Sequence, residues 1–492
     1  HSVHRRFSRH LLRCRPLPLP IRCLVGGDNG RDSKHGQKGG VREMKQPYNY
    51  LLATLILALM ARMWVFAHKV PDLLNGRDGF LYLNAARLLR GERVSSAFDR
   101  NANAPRNETL GRVIYPIFLN TAFALAKWSP TPLSVLERMR ERQPRLNDGW
   151  HWQFFTTKEN LRAVQFLQHF LGLLATAIAF WLLWEWTKTG WLATLGSLFA
   201  VGWRPAWLFF ERCILTETLA AFLFLTTLLF FVQTHKHRYS LIWMIAALIV
   251  SYSLALTRPN FLFLPPLLLL YFAWRLPERF TQFHWLRKVV IIFIPIVVVV
   301  GCWKTYHAIS GYHFALTPEA FEDPILRQTL QEHLTRNPND HHAIYNIRPT
   351  LMERWDTSWA ETGARLAEET RKALSRRPDV FLKSASSGLV EYFFYAGISW
   401  GSFRSLISLL LALFNLLGLS AILLRNSPLT LKFALGVVIF NALACSVVIG
   451  VYAEQARYAF PTEAILSLAA FWVVWHLMQL MRTKLSQTPA TP

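Results

Sequence analysis

The sequence predicts an all-α polytopic membrane protein with about ten transmembrane helices, external juxtamembrane helices and a small external helical domain. Three observations predict this class. The 492-residue chain is 52% hydrophobic, more than soluble domains usually sustain, because they need polar residues to cover their surface. Its apolar residues come in blocks long enough to cross the ~30 Å hydrocarbon core of a bilayer. Lys and Arg cluster at the ends of these blocks, as they do beside transmembrane helices.

The formal net charge of the chain is +24, which in a soluble protein would indicate nucleic-acid binding. Because the basic residues flank apolar blocks, we interpret them instead as residues that orient the spans and contact anionic headgroups. Trp64, Trp186 and Trp303 lie at block ends and suit the same interface. We therefore expect the basic residues to contact membrane lipids and no nucleic acid.

Ten apolar blocks are predicted as spans, allowing some tolerance around the usual length of about 20 residues. These blocks are 48–67, 162–186, 191–210, 214–233, 240–257, 260–275, 288–305, 403–424, 431–452 and 463–481. An eleventh block, 113–127, is shorter and contains Pro116 near its start. Whether this block crosses decides the orientation of the later spans.

Compact basic segments decide that question, because the positive-inside rule places such segments in the cytoplasm. If block 113–127 does not cross and the basic N-terminus is cytoplasmic, all of them fall inside: 234–239, 275–288, 425–432 and 482–484. If the block crosses, all four segments fall outside and only the N-terminal basic tail stays inside. We therefore interpret 113–127 as a juxtamembrane or re-entrant helix, and expect both termini on the cytoplasmic side of a plasma (inner) membrane.

Residues 1–43 are rich in Arg, Gly and Pro and precede the first Met, Met44. We expect this stretch to be a disordered basic tail or an upstream translation. The remaining chain divides into an N-terminal transmembrane module at 44–305 with an external loop at 68–161, an external soluble loop domain at 306–402, C-terminal transmembrane helices at 403–484 and a cytoplasmic tail at 485–492. Apolar residues at helical spacing between Trp355 and Leu374 predict that the loop domain is helical.

In this topology, polar side chains collect at the external mouth of the bundle. They come from four loops: Asp78 after the first span, Glu217 at the start of the fourth, Arg258 between the fifth and sixth, and Glu454, Arg457 and Tyr458 before the last. Each has a structural explanation when taken alone. Asp78 suits a helix N-cap, Glu217 suits a first helical turn, and Arg258 can snorkel to the interface. Glu454 and Arg457 can pair at i, i+3.

Acids and arginines together on one membrane face also suit a particular chemistry. Arginine side chains bind a lipid-linked phosphate through two parallel hydrogen bonds and offset the charge on a departing phosphate. A carboxylate near an acceptor hydroxyl or amine can remove its proton while that group attacks a sugar carbon. A single displacement of this kind inverts the anomeric centre of the sugar.

These positions resemble motifs of the GT-C superfamily of membrane glycosyltransferases, particularly the protein O-mannosyltransferase and lipid A aminoarabinose transferase group (glycosyltransferase family 39-like). In that family a catalytic Asp is followed by a Tyr, small residues and a Gly, which here match Asp78, Tyr82, Ala85, Ala86 and Gly91. Later motifs keep the family's order: Tyr115-Pro116-Ile117, Leu215-Thr216-Glu217, Arg258-Pro259 and Arg457-Tyr458 before Pro461. The resemblance extends over about 44–481 as a series of short motifs.

The resemblance implies a GT-C-like fold and an N-terminal catalytic module. It implies transfer of a sugar from a polyprenyl-phosphate donor to a lipid, glycan or protein acceptor on the external side, with Asp78 as the catalytic general base. The implied substrate-binding residues are Tyr82, Glu217, Arg258, Arg457 and Tyr458. We predict no cofactor and assign no metal ligand; Gly79 stands where many relatives carry a second acid, which leaves metal-assisted chemistry open.

Two other classes of function stay open. A secondary transporter or lipid flippase usually shows inverted repeats and ionisable groups near the middle of the membrane, whereas the sequence shows no clear repeat and its charges gather at one face. A non-catalytic subunit of a larger complex would use the Trp- and Phe-rich surface for helix contacts. Such a subunit has no need for Asp78 and Arg258 to converge.

Overall fold

A computed structural model describes a set of segments of the chain: residues 38–69, 79, 82–83, 86, 89–90, 114–128, 158–237, 239–275, 355–356, 365, 386, 388–390, 392–393, 404–449 and 455–487. The chain forms two compact units, His1–Gln46 and Pro47–Pro492. Every contact described below lies within the second unit. Most of the predicted loop domain at 306–402, Asp78 and the predicted span 288–305 lie outside the described residues.

The described residues form helices and turns and no strand, which confirms the all-α class. The α-helices are α1 (Lys38–His68), α2 (Ile114–Trp128), α3 (Lys158–Thr187), α4 (Gly190–Ser197), α5 (Pro205–Phe210), α6 (Glu217–Lys236), α7 (Leu241–Thr257), α8 (Leu264–Arg275), α9 (Arg404–Ser420), α10 (Leu429–Ile449) and α11 (Gln455–Gln487). A π-helical turn (Leu198–Gly202) follows α4, and a 3₁₀ turn (Pro259–Phe261) precedes α8.

Five helices in the described part of the chain are long and apolar enough to cross a membrane. They contain the stretches Pro47–His68, Asn160–Thr187, Glu217–Lys236, Leu429–Ser446 and Arg457–Lys484, and each overlaps a predicted span. Three shorter apolar helices, Gly190–Gly202, Leu241–Thr257 and Leu410–Ser420, overlap three more. The membrane character is therefore supported, while the count of about ten spans stays a prediction.

The predicted span 191–210 does not form one continuous helix. The chain leaves the helical conformation at Trp203 and Arg204, where the backbone of Arg204 is extended at φ −65° and ψ 123°. Pro205 explains the break, because its ring disfavours the helical conformation in the preceding residue and suits the first position of a new helix. Residues 203–216, which we call the connecting segment, therefore join α4 to α6 through the short helix α5.

One end of the bundle, which we call the basic end, is marked by Glu185. Its carboxylate accepts a hydrogen bond from Lys236 at 2.6 Å and another from Lys188, which brings the C-terminal ends of α3 and α6 together. The indole of Trp186 donates to Thr430 at 3.1 Å, so α10 begins at this end. The ring of Tyr50 lies against Gly190, so the first described span begins here too.

The opposite end is where Glu217, Arg258 and Arg457 meet, and we call it the Arg258 end. Because Glu217 begins α6 and Arg457 lies in the first turn of α11, these two helices start together and run in the same direction. The last described span therefore finishes toward the basic end, where the first one starts. Which end faces the cytoplasm stays a prediction from the positive-inside rule.

Candidate functional site

Two arginines share one buried carboxylate at the Arg258 end. The Oε1 atom of Glu217 accepts a hydrogen bond from Nη2 of Arg258 at 3.0 Å and from Nε of Arg457 at 2.7 Å. The side chain of Glu217 is fully buried, that of Arg258 is 3% exposed, and that of Arg457 is 16% exposed. The start of α6, the end of α7 and the start of α11 therefore meet at a single oxygen atom.

Local structure explains how each side chain reaches this point. Glu217 is the first residue of α6, where the positive end of the helix dipole favours a carboxylate. Arg258 ends α7 in an extended conformation, at φ −140° and ψ 112°, as expected for a residue that precedes proline. Its Nη1 atom donates to the backbone carbonyl of Arg457 at 2.7 Å, which fixes the start of α11 against the end of α7.

Tyr458 completes the cluster from the same turn of α11. The guanidinium carbon of Arg258 lies 4.8 Å from the centre of the Tyr458 ring, a distance that allows a cation–π interaction. The guanidinium plane of Arg258 is thus held by a carboxylate, a carbonyl and an aromatic face. Such a group is positioned before any ligand arrives.

Tyr82 is linked to this cluster through a ring contact with Tyr115. The two rings meet edge to face with their centres 5.0 Å apart, and the Tyr115 hydroxyl accepts a hydrogen bond from Gln168 at 2.9 Å. Burial raises the pKa of Tyr115 well above its ordinary value, and the nearby charge of Glu217 raises it further. The hydroxyl therefore keeps its proton, and Tyr82, from the predicted first external loop, packs against a tyrosine that senses the charge of Glu217.

Five of the predicted site residues are described, and the structure brings them together. Glu217, Arg258, Arg457 and Tyr458 form one cluster, and Tyr82 adjoins it through Tyr115. The predicted base, Asp78, lies outside the described residues, so its distance from Arg258 is untested. Arg258 thus contacts Glu217, 41 positions earlier in the chain, and Arg457, 199 positions later; the assignment of these residues to substrate binding stays a prediction.

A second charged cluster was missed by the sequence analysis. The side chain of Glu211 is fully buried. Its Oε1 atom accepts a hydrogen bond from Nη2 of Arg62 at 2.6 Å, and its Oε2 atom lies 2.6 Å from Nδ1 of His169. We call Arg62, His169 and Glu211 the buried triad. His169 lies nine residues into the span that starts at Asn160, or about 14 Å along the helix, so the triad lies inside the bundle.

A third buried pair, also missed, joins Arg204 to Glu463 on α11. Arg204 donates a further hydrogen bond to Ser467 at 2.9 Å. A sequence signal existed for both clusters, because Arg62, His169 and Arg204 are ionisable residues inside predicted apolar blocks. Such residues are costly in a membrane unless they are paired or used, but spacing alone does not reveal which partner each one finds.

Part of the predicted loop domain also contacts this end of the bundle. Asn260, two residues after Arg258, donates to Asn441 at 2.8 Å, and Asn441 donates to the hydroxyl of Tyr392 at 2.7 Å. Tyr392 also shares a hydrogen bond with Thr462 at 2.5 Å. The described residues near the end of the loop domain are therefore anchored to α10 and α11 close to the two arginines.

Among the residues that the structure describes, no three His, Cys, Asp or Glu side chains converge as metal ligands. No family model matches this chain, and a search of curated proteins finds no match. Function is therefore inferred from the side chains themselves.

Proposed function

We propose that this protein is an integral membrane glycosyltransferase of the GT-C type, which moves a sugar from a polyprenyl-phosphate donor to an acceptor on the non-cytoplasmic side. The observation that supports this most strongly is the pair Arg258 and Arg457, held on one buried carboxylate at a single end of the bundle. The proposed acceptor is a lipid, a glycan or a protein.

The two guanidinium groups suit the phosphate of the donor. Arginine stays charged under all ordinary conditions and presents donors in a planar fork that matches phosphate oxygens. When the bond between sugar and phosphate breaks, the phosphate oxygen keeps the bonding electrons and gains negative charge. Guanidinium groups already held in place offset that charge without reorganising. In this proposal Glu217 orients the arginines, since its Oε1 atom accepts from both of them.

Asp78 is proposed as the general base. It would take the proton from the acceptor hydroxyl or amine while that group attacks the anomeric carbon, and the departing polyprenyl phosphate leaves from the opposite side, with inversion. The support is indirect: Tyr82, four residues after Asp78, is buried beside Tyr115, whose hydroxyl lies near Glu217.

One observation favours a second candidate, a secondary transporter or lipid flippase. The buried triad of Arg62, His169 and Glu211 lies inside the bundle, where transporters place ionisable groups. Proteoliposomes that move a labelled lipid or solute across the bilayer, with no change in its covalent structure, would support this class over the transferase.

Sugar transfer tests the primary proposal. The full-length protein in proteoliposomes receives a panel of polyprenyl-phosphate-linked sugars, with membrane extract as the source of acceptors, and the release of polyprenyl phosphate is measured. We expect Asp78→Asn to lower the rate by about 100-fold or more, the usual contribution of a general base. The matched control is Asp356→Asn, because Asp356 has a positive φ of 50° that Asn also tolerates. Full activity of Asp78→Asn would reject this residue as the base.

A further inference from the structure

The connecting segment, 203–216, is fixed by buried charged side chains along its length. Near its start, Arg204 pairs with Glu463, and just after its end Glu217 pairs with Arg457. Both partners belong to α11. Between these two anchors lies Glu211, whose partners belong to α1 and α3. The proposed mechanism uses the second anchor and gives no role to Glu211.

Arg62 holds two parts of the chain at once. Its Nη2 atom donates to Glu211, and its Nη1 atom donates to the backbone carbonyl of Gly202 at 3.2 Å and to that of Ala58 at 3.2 Å. Gly202 ends the π-helical turn that precedes the connecting segment. The guanidinium of Arg62 therefore holds both Gly202, where the helix ends, and Glu211, within the connecting segment.

Helix α3, which contributes His169, leaves space at Gly172 for the other two members of the triad. A Cβ atom at Gly172 of α3 would overlap the Oε1 atom of Glu211 and would lie 2.6 Å from Nη2 of Arg62. Glycine is unfavourable inside a helix, by roughly 1 kcal/mol relative to alanine on the usual propensity scales. Its presence here is explained by the close approach of Glu211.

Two adjacent residues of α3 connect the triad to the arginine site. His169 contacts Glu211, and Gln168 donates to Tyr115, which lies near Glu217. Between the two acids the backbone is tightly turned: the amides of Arg212 and Cys213 donate to the carbonyls three residues earlier, at 2.9 and 3.1 Å. Only residues 214–216 separate this turn from Glu217, so a short stretch of backbone links the two acids.

Stability alone does not explain a buried triad of this kind. Taking charges out of water is expensive, and replacing a complete buried charge cluster by apolar side chains of similar volume is often neutral or stabilising, whereas removing one member is strongly destabilising. A role in fixing geometry is the better explanation for keeping all three members.

We propose that Glu211, held by Arg62 and His169, is a positioning residue for the arginine pair Arg258 and Arg457. It acts through the connecting segment, which ends at the carboxylate that orients both arginines. This inference rests on the proposed function in one respect, namely that the arginine pair binds the phosphate of a polyprenyl donor. The geometric coupling between the two clusters does not depend on that ligand.

A double-mutant cycle tests the coupling in the full-length protein in nanodiscs. The variant Arg62→Met/His169→Leu/Glu211→Met replaces the triad by apolar side chains, and Arg457→Gln removes one arginine from Glu217. Melting temperatures are measured for wild type, each variant and the combination. We expect Arg457→Gln to lower the melting temperature of the triad variant by less than half as much as it lowers that of wild type. The reason is that the contact between Arg457 and Glu217 is already misplaced in the triad variant. Lys236→Gln at the basic end is the control and should give the same shift in both backgrounds.

Binding of polyprenyl phosphate, with neutral polyprenol as comparison, gives the second readout by native mass spectrometry. We expect the triad variant to remain folded, with a lower melting temperature because the contact between Glu217 and Arg457 is misplaced, and to bind polyprenyl phosphate at least about 10-fold more weakly, the loss of roughly one charge-assisted hydrogen bond. If the triad variant does not fold, Glu211→Gln, which keeps the shape of the side chain, takes its place in both measurements.

The outcomes distinguish the positioning role of Glu211 from the proposed function. Equal shifts for Arg457→Gln in both backgrounds, or unchanged binding of polyprenyl phosphate by a folded triad variant, would overturn the positioning role. Unequal shifts together with no binding of polyprenyl phosphate by wild type would support the positioning role and refute the proposed function.

Discussion

At the scale of single residues, Glu217 and Glu185 make a natural comparison, because each carboxylate accepts from two basic side chains. The carboxylate of Glu217 is fully buried and its partners are 3% and 16% exposed. The partners of Glu185, in contrast, are 60% and 52% exposed. Similar contacts therefore have different energetic consequences, since exposed ion pairs are worth about 0–1 kcal/mol and a broken buried cluster costs several times more.

We expect Glu217→Gln to lower the free energy of unfolding by about 3 kcal/mol or more, because it leaves two guanidinium groups in a buried place without their carboxylate. Glu185→Gln should lower it by less than about 1 kcal/mol. Equilibrium unfolding in mixed micelles measures both. Equal effects of the two substitutions would mean that the Arg258 end is solvated in the membrane and that Glu217 does not hold the arginines.

Sequence motifs predicted much of the arginine site at this scale. Arg258 before a proline and Arg457 before a tyrosine were recognisable because both residues interrupt apolar surroundings near a predicted turn. Glu211 was not recognised, because it follows an apolar block and looks like an ordinary interfacial acid. Its identity as a buried acid depends on a partner in α1, 149 positions away, which no local pattern reveals.

At the scale of elements, glycine shows where helices must approach other groups closely. Gly172 in α3 faces Glu211 and Arg62, whereas Gly436 in α10 has nothing within 4 Å of the position its Cβ would take. Both lie inside long apolar helices. The sequence predicted these two helices from their apolar length, but length does not distinguish a glycine that makes space from one that does not.

We expect Gly172→Ala to destabilise the protein by about 2 kcal/mol or more, since the new methyl group would displace Glu211 from Arg62. Gly436→Ala should be neutral or should stabilise by up to about 1 kcal/mol, because alanine is the better helix former. Equilibrium unfolding of the two variants in mixed micelles gives the comparison. Stabilisation by Gly172→Ala would show that α3 does not pack against the triad as described.

At the scale of the whole molecule, charge separates the two ends of the bundle. Lys188 and Lys236 lie at the basic end, whereas buried arginines paired with carboxylates gather at the Arg258 end. The positive-inside rule predicts that the compact basic loops all lie on the cytoplasmic side, and this orientation stays a prediction. The interruption of the predicted span 191–210 was not foreseen, although Arg204-Pro205 is a recognisable helix stop.

The central claim, that a lipid-linked phosphate binds at the Arg258 end, is tested most directly by photolabelling. The full-length protein in nanodiscs is irradiated with a polyprenyl phosphate that carries a diazirine next to the phosphate, and the labelled peptides are mapped by mass spectrometry. We expect labels around Arg258 and the first turn of α11, lost in Arg457→Gln and retained in Lys236→Gln. Labels around Glu185 and Lys236, or equal labelling by the neutral polyprenol analogue, would contradict the claim.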